Sequence, residues 1–242
     1  MKIPKFSFHL SPLHFLLLAL FVGVYLMVRN QNTHSQSRTK GGVYALIEWS
    51  QAPQADTWDK PFINGVVIRA YWRDLNPRTD VYNWSLIDDQ LKQTKKNGKK
   101  VRRMIAPGFY SPDWVLRDKN IATATFTVPQ GPEKGQLKPL PLPWDQTYLS
   151  YWYEFVDTLA KRYKDDPNFS YISGAGPNSH NGEVSLPREA DDEKVWLGLV
   201  NGDPILLKDK LLNAWYSTID RFCTDFGGKR FTIAFILKSF PV

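Results

Sequence analysis

Five short apolar runs recur between residues 43 and 237, and the stretches between most of them carry helical periodicity. The runs are Val43–Trp49, Gly65–Trp72, Lys100–Ala106, Phe169–Ala175 and Phe231–Leu237. Each has the length of a strand and is bounded by turn-forming residues. Ser85 opens the first helical stretch, with Trp84, Ile87 and Leu91 on one stripe and Asn97-Gly98 as the stop. Ser85 and Asp88 stand at capping-box spacing. Asp145 precedes a stronger helix in which Tyr148, Trp152, Phe155, Leu159 and Tyr163 recur, closed by Asp165-Asp166-Pro167. Leu207 to Phe226 forms a third, with Leu211, Ala214, Trp215 and Phe222 inward and Gly227-Gly228 at its end. Alternation of this kind predicts βα units around a parallel sheet. It suits an open doubly wound sheet or part of an eight-stranded barrel, and composition does not choose between them.

One connection breaks the rhythm. Pro107 to Pro143 is far longer than the usual loop of about four to six residues, and it holds Pro129, Pro132, Pro139 and Pro141. An ordered excursion over one end of the sheet is expected there.

Charge separates the amino terminus from the rest. The chain of 242 residues has a net charge of +7, but Lys2, Lys5, Arg29, Arg38 and Lys40 lie in a segment with no Asp or Glu. The remainder carries 26 basic against 24 acidic side chains. A nearly neutral body argues against nucleic acid as a partner. Residues 1–9 are a short basic segment, 10–28 are apolar enough for a membrane anchor or signal peptide, and 29–42 are a polar linker. Bulky residues from Tyr25 to Val28 stand where a signal peptidase requires small ones, which favours an uncleaved anchor and an extracytoplasmic body at 43–242. A secreted body is the alternative.

Several chemistries are excluded by inventory. Cys223 is the single cysteine, so no internal disulfide or multi-thiolate metal site exists. His180 is the only histidine beyond residue 34, so a multi-imidazole zinc site is excluded and any Ser/His/Asp triad would run through it. No phosphate-binding glycine loop is present. No metal and no cofactor is expected.

Tryptophans and carboxylates near strand ends remain. Trp49, Trp72, Trp114 and Trp196 stand at or after predicted strands, the end at which βα barrels gather their sites. Flat indole faces suit the apolar faces of sugar rings, although tryptophans also fill cores. Glu48 ends the first strand, Asp74 follows the second and Glu183 follows the fourth. Glycoside hydrolysis needs two carboxyl groups, one as acid and one as nucleophile or base. The basic run Lys92, Lys95, Lys96, Lys99, Lys100, Arg102, Arg103 is expected to be a solvated face at a helix C-terminus.

The segment from Trp72 to Asp88, WRDLNPRTDVYNWSLID, resembles the second-strand region of clan A TIM-barrel glycoside hydrolases. It is most similar to the family 42 β-galactosidase-like group. Gly98–Val101, Pro107-Gly108, Ser111–Trp114 and Pro143–Leu149 resemble that group's following segments in the same order. The resemblance runs from about Val43 to Glu183. It implies an extracytoplasmic (β/α)₈ TIM barrel, of which about five βα units are present, behind the transmembrane helix that the apolar run at 10–28 predicts. It also implies hydrolysis of O-glycosidic bonds, with a carbohydrate as partner and a nucleophilic Glu after a seventh strand. That would leave this chain, ending after its fifth strand, without the nucleophile. Glu183 takes the place of the acid/base, and Glu48, Trp72, Asp74, Trp114, Asn178 and His180 are candidates for substrate binding. Asn76 stands where the family has Glu, and the family's Asn-Glu pair is matched only by Asn178 and the more distant Glu183. A non-catalytic carbohydrate-binding protein and an inactive truncated product are the alternatives.

Overall fold

The computed structural model describes residues 42–178, 186–227 and 231–233. The predicted span at 10–28, Glu183 and His180 lie outside the described residues. Among the described residues no helix is long and apolar enough to cross a membrane. From Gly42 onward the chain is one compact unit. Its elements are β1 (Val43–Leu46), β2 (Ile63–Tyr71), α1 (Trp72–Leu75), α2 (Ser85–Lys96), β3 (Lys100–Ala106), α3 (Asp113–Leu116), β4 (Thr123–Thr127) and β5 (Leu137–Pro141). They continue with α4 (Gln146–Tyr163), β6 (Phe169–Ser173), α5 (Ala190–Gly198), α6 (Pro204–Phe226) and β7 (Phe231–Thr232).

Five strands form a parallel sheet in the order β1-β2-β3-β6-β7. A doubly wound sheet reverses its strand order at a switch point. This one follows the chain from edge to edge, which is the winding of a barrel. The strand-end expectations at 47–49, 72 and 174–175 were too long, because the ladder stops where the backbone turns into loops and into α1.

One sheet face carries the helices. Val66, Ile68, Ala70, Val101 and Ile105 meet Ile87 and Leu91 of α2, Trp152, Phe155 and Leu159 of α4, and Phe222 and Phe226 of α6 in one core. Phe169 and Ile172 both join it although they are three residues apart, because the β3–β6 register slips between Val101 and Arg102. Burying each large apolar side chain contributes about 1.5–3 kcal/mol. The opposite face is stitched by charge on aromatic rings. The Arg102 guanidinium lies 3.4 Å from the Tyr44 ring centroid and 4.2 Å from that of Tyr171. Gly65 makes room for Tyr44, since a Cβ there would stand 2.5 Å from its ring.

The long excursion is a hairpin. β4 and β5 pair antiparallel from Thr123↔Pro141 to Thr127↔Leu137. Phe126, Val128 and Leu140 bury against Trp196 and Val200, with Leu207 and Leu211 of α6. Tyr71, Ala106, Phe109 and Tyr110 complete this second core, so the hairpin caps the carboxyl ends of β2 and β3.

Local signals hold in part. Asp145 caps α4, accepting from the Tyr148 amide at 2.8 Å. α6 starts at Pro204, three residues before the expected Leu207, because Asp203 accepts from the Ile205 and Leu206 amides. Ile205 and Leu206 are exposed and add nothing to the apolar stripe. The Ser85–Asp88 capping box does not form. Asn83 Oδ1 accepts from Ser85 instead, while Asp88 takes hydrogen bonds from Arg162 and Tyr163, each at 2.7 Å. The basic run is a solvated face on α2, where Lys92, Lys95 and Lys96 are exposed, but not in full. Lys99 is buried, donating to Lys60 O and Ile63 O, and Lys95 pairs with Asp166 at 2.8 Å. Arg103 is 1% exposed in the helix-side core.

Burial raises the Asp88 carboxyl, but the Arg162 and Tyr163 hydrogen bonds outweigh it and hold it below the usual carboxylate range. A carboxyl lowered in the folded state stabilises it above the unfolded value and gives that up as pH falls. Asp88→Asn is therefore expected to lower the urea midpoint at pH 7, with the gap between variant and wild type shrinking as pH falls below the usual carboxylate range. An equal loss at pH 7 and below that range would show that the charge is not responsible.

Arg103 makes one hydrogen bond, Nη2 to Ile87 O at 3.3 Å, and its Nε and Nη1 have no partner. Burial pulls its guanidinium down to about 9. Removing an uncompensated buried cation while keeping its volume is expected to be neutral or stabilising by about 1–3 kcal/mol. Thermal melts of Arg103→Met check this, and a clear drop in Tm would show that the guanidinium is compensated.

Candidate active site at the strand ends

Parallel sheets place ligand sites beyond the carboxyl ends of their strands. At the ends of β1 and β2 and after β3, three rings form a continuous stack. Trp49 and Tyr71 lie 5.0 Å apart at 7°, and Tyr71 and Tyr110 lie 4.2 Å apart at 26°. The Arg73 guanidinium covers Tyr71 and Tyr110 at 5.1 and 5.3 Å, and Arg69 lies 5.1 Å from Trp49. The hairpin closes one side. Tyr110 OH donates to Gln130 O at 3.0 Å, and Gly131, at φ +85°, leaves space that a Cβ would fill 2.6 Å from that hydroxyl.

Carboxylates ring this wall. Ser50 Oγ donates to Asp74, tying the turn after β1 to α1. Glu48 is mostly exposed and pairs with Arg69 at 3.3 Å, a contact worth little in water. Glu133 pairs with Lys138 in the hairpin, and its second oxygen is buried without a partner. Burial, then the neighbouring Tyr71 and Glu133, push the Tyr110 phenol up to about 12. Tyr71 is raised by burial against the opposing charge of Arg73. Both are neutral hydroxyls at physiological pH. Arg73 pairs with no carboxylate among the described residues, so a half-buried cation with open donors faces the strand ends. Such a surface suits hydroxyl-rich ligands.

Trp72 is elsewhere. It is fully buried, against Trp114, Tyr148, Trp152 and Phe155, and offers no ring face to a ligand. β2 ends at Tyr71, and the turn into α1 carries the next residue round to the helix side. Trp114 is half-buried beside it, its Nε1 donating to Asn76 O at 3.1 Å and its ring against Tyr151. Neither tryptophan joins the Trp49 stack. Trp196 is a core residue, packed on Phe126 at 4.2 Å.

Asn76, at the position of the family's Glu, is buried and fully used. Its amide donates to Arg78 O and Val81 O and accepts from Trp72 Nε1. An ionised carboxylate cannot make the two donations, so the structure explains why an amide stands here.

Asn178 is buried at the other side of the strand ends. Its Nδ2 donates to Pro141 O, while Oδ1 has no partner. Gly108, at φ +66°, passes so close that a Cβ would meet Asn178 O at 2.9 Å. Tyr148 fastens the same place: its hydroxyl accepts from the Gly108 amide at 2.9 Å and donates to Pro177 O. The loops after β3, β5 and β6 are thus joined immediately before residues 179–185.

Of the predicted site residues, Glu48 and Asp74 surround the Trp49 wall, and Asn178 lies at the Gly108–Tyr148 junction. Tyr71, Arg73, Tyr110 and Glu133 were missed. The Tyr-Trp-Arg triplet at residues 71–73 was the available signal, but which of its three side chains stands at the strand ends depends on where β2 turns into α1. No group of three His, Cys, Asp or Glu able to hold a metal occurs among the described residues.

No curated protein matches the chain. Residues 56–172 match the family model for glycoside hydrolase family 42, described as beta-galactosidase. Among solved structures, the β-galactosidase of the psychrophilic Marinomonas ef1 aligns with a TM-score of 0.51 at 14% identity, over 81% of this chain and 37% of that one. The β-galactosidase of Bacillus circulans sp. alkalophilus aligns at 0.47 with 13% identity, over 80% and 36%. The chain therefore spans little more than a third of the length of these relatives. Segment order, the parallel sheet and the family match agree in likeness: residues 56–172 are similar to glycoside hydrolase family 42, and the parallel sheet resembles part of the barrel of a β-galactosidase.

Proposed function

We propose that this chain binds a saccharide at the strand-end wall of Trp49 and Arg73, which the buried rings of Tyr71 and Tyr110 support from behind, on a scaffold of β-galactosidase-like hydrolase descent. The observation that carries this reading is the Arg73 guanidinium, without a carboxylate partner among the described residues, held over two stacked tyrosines at the carboxyl end of a parallel sheet. Its donors address sugar hydroxyls, Asp74 and Glu48 supply acceptors, and the rim of Trp49 offers apolar surface. The parent reaction is hydrolysis of a β-glycoside by two carboxylates in a (β/α)₈ barrel. Glu183 is the proposed acid/base and His180 its proposed neighbour, both in the loop that follows the Gly108–Tyr148–Asn178 junction. The resemblance puts the nucleophile after a seventh strand, and five parallel strands are described here. Saccharide binding is the activity proposed for this chain. Anchoring through residues 10–28, with the body on the extracytoplasmic side, belongs to the same proposal.

Two measurements on the full chain test it. Titration with β-1,4-galactobiose is expected to show binding that Arg73→Ala or Trp49→Ala weakens by about tenfold, the loss of one charge-assisted contact. Undiminished binding in both variants would remove the strand-end wall as the site. Any hydrolysis of aryl β-galactosides is expected to be abolished by Glu183→Gln. Hydrolysis that survives Glu183→Gln would remove Glu183 as the acid/base.

A further inference from the structure

The connection from β1 to β2 is not a helix. Sixteen residues, 47–62, cross the sheet with a single 3-10 turn at Ala55–Thr57, so the flank of α2 that a preceding helix would cover stays open. Between that connection and α2 lies a cleft of about 560 Å³, within the range of small-ligand sites. Trp58 packs on the core and also lines the cleft. Gln90, from α2, lines it too; it is 4% exposed and its Oε1 has no partner. A buried amide without its hydrogen bond is costly, and a ligand or ordered water that donates to it recovers that cost.

We propose that this cleft is a second saccharide-binding site, on the outer surface of the domain and away from the strand ends. The lining selects the ligand class. Asp59 and Asp89 balance Lys92 and Lys96, so neither an anion nor a cation is favoured. Asp89 already engages Lys92 at 3.6 Å. Gln90, Gln93 and Asn97 add amides around one indole, a combination that pairs hydroxyls with an apolar ring face. A neutral, hydroxyl-rich ring fits this lining better than a flat apolar or a charged ligand. The inference does not rest on the strand-end reading, because its residues lie on other elements.

Indole N–H resonances of the full, isotopically labelled chain give the test, with β-1,4-galactotetraose as the probe and Trp58→Phe to assign the Trp58 signal. The probe is expected to shift the Trp58 resonance saturably, and to do so equally in Trp49→Ala, which disables only the strand-end wall. Trp58→Ala, and independently the exposed-position variant Gln93→Ala, are expected to weaken this binding about fivefold or more. Gln93→Ala removes a surface amide and leaves the core intact, so its result stands if Trp58→Ala misfolds. An unmoved Trp58 signal at saturating probe, or a shift that disappears with Trp49→Ala, overturns the proposal. So does unchanged affinity in Gln93→Ala together with Asp89→Ala.

Discussion

The packing of Trp72 governs how the strand ends are built. Its ring is buried where β2 turns into α1, and it touches Trp114, Tyr148, Trp152 and Phe155 within 6.4 Å between centroids. Its Nε1 holds Asn76, whose amide closes the turn at Arg78 and Val81 and whose carbonyl receives Trp114. One indole therefore fixes α1, the following turn, α3 and the first half of α4. Tyr148, on the same helix, extends that control to the loops after β3 and β6. A large rigid ring can do this because its burial is strongly favourable and its single N–H specifies one orientation.

The two sheet faces solve different problems. The helix-side face is apolar and dense, with one exception in Arg103. The other face, which a closed barrel would turn inward, is held by Arg102 between Tyr44 and Tyr171 and by Arg69 against Trp49. Guanidinium groups suit a surface that is only partly dehydrated, because they stack on rings and keep their donors available. The same chemistry continues to the strand ends, where Arg73 caps Tyr71 and Tyr110. A wall of rings overlaid by guanidinium groups at the mouth is thus continuous with the way that whole face is stabilised.

Much of the fold was legible from local pattern. All five parallel strands and the helices α2, α4 and α6 lie where apolar periodicity put them, since period and length report burial directly. The hairpin of β4 and β5 was not legible, because proline-rich segments with half-exposed strands carry no clean alternation. The start of α6 was hidden because Pro204 to Leu206 are exposed and only Asp203 marks them. The capping box at Ser85 failed for a different reason. Asp88 had a stronger tertiary partner in Arg162 and Tyr163, seventy-four and seventy-five residues away. The site was legible as a region, the carboxyl ends of the strands, more than as residues. Glu48 and Asp74 were found there, while Trp72 lies in the core and the neighbouring Tyr71 and Arg73 line the wall.

By itself the sequence determined the alternation of strands and helices, the nearly neutral charge beyond a basic amino-terminal segment, the exclusion of thiolate and multi-histidine metal chemistry, and the family 42 resemblance. These depend on composition, period and motif order, which are local properties of a chain. Tertiary structure decided which of two adjacent aromatic residues stands at the strand ends, that Lys99, Arg102 and Arg103 of the basic run are drawn into the sheet while its helix lysines stay exposed, and that a cleft remains where no helix follows β1. Each of these depends on where a backbone turns and what then packs against it, and one residue of turn moves a side chain from one face of the sheet to the other.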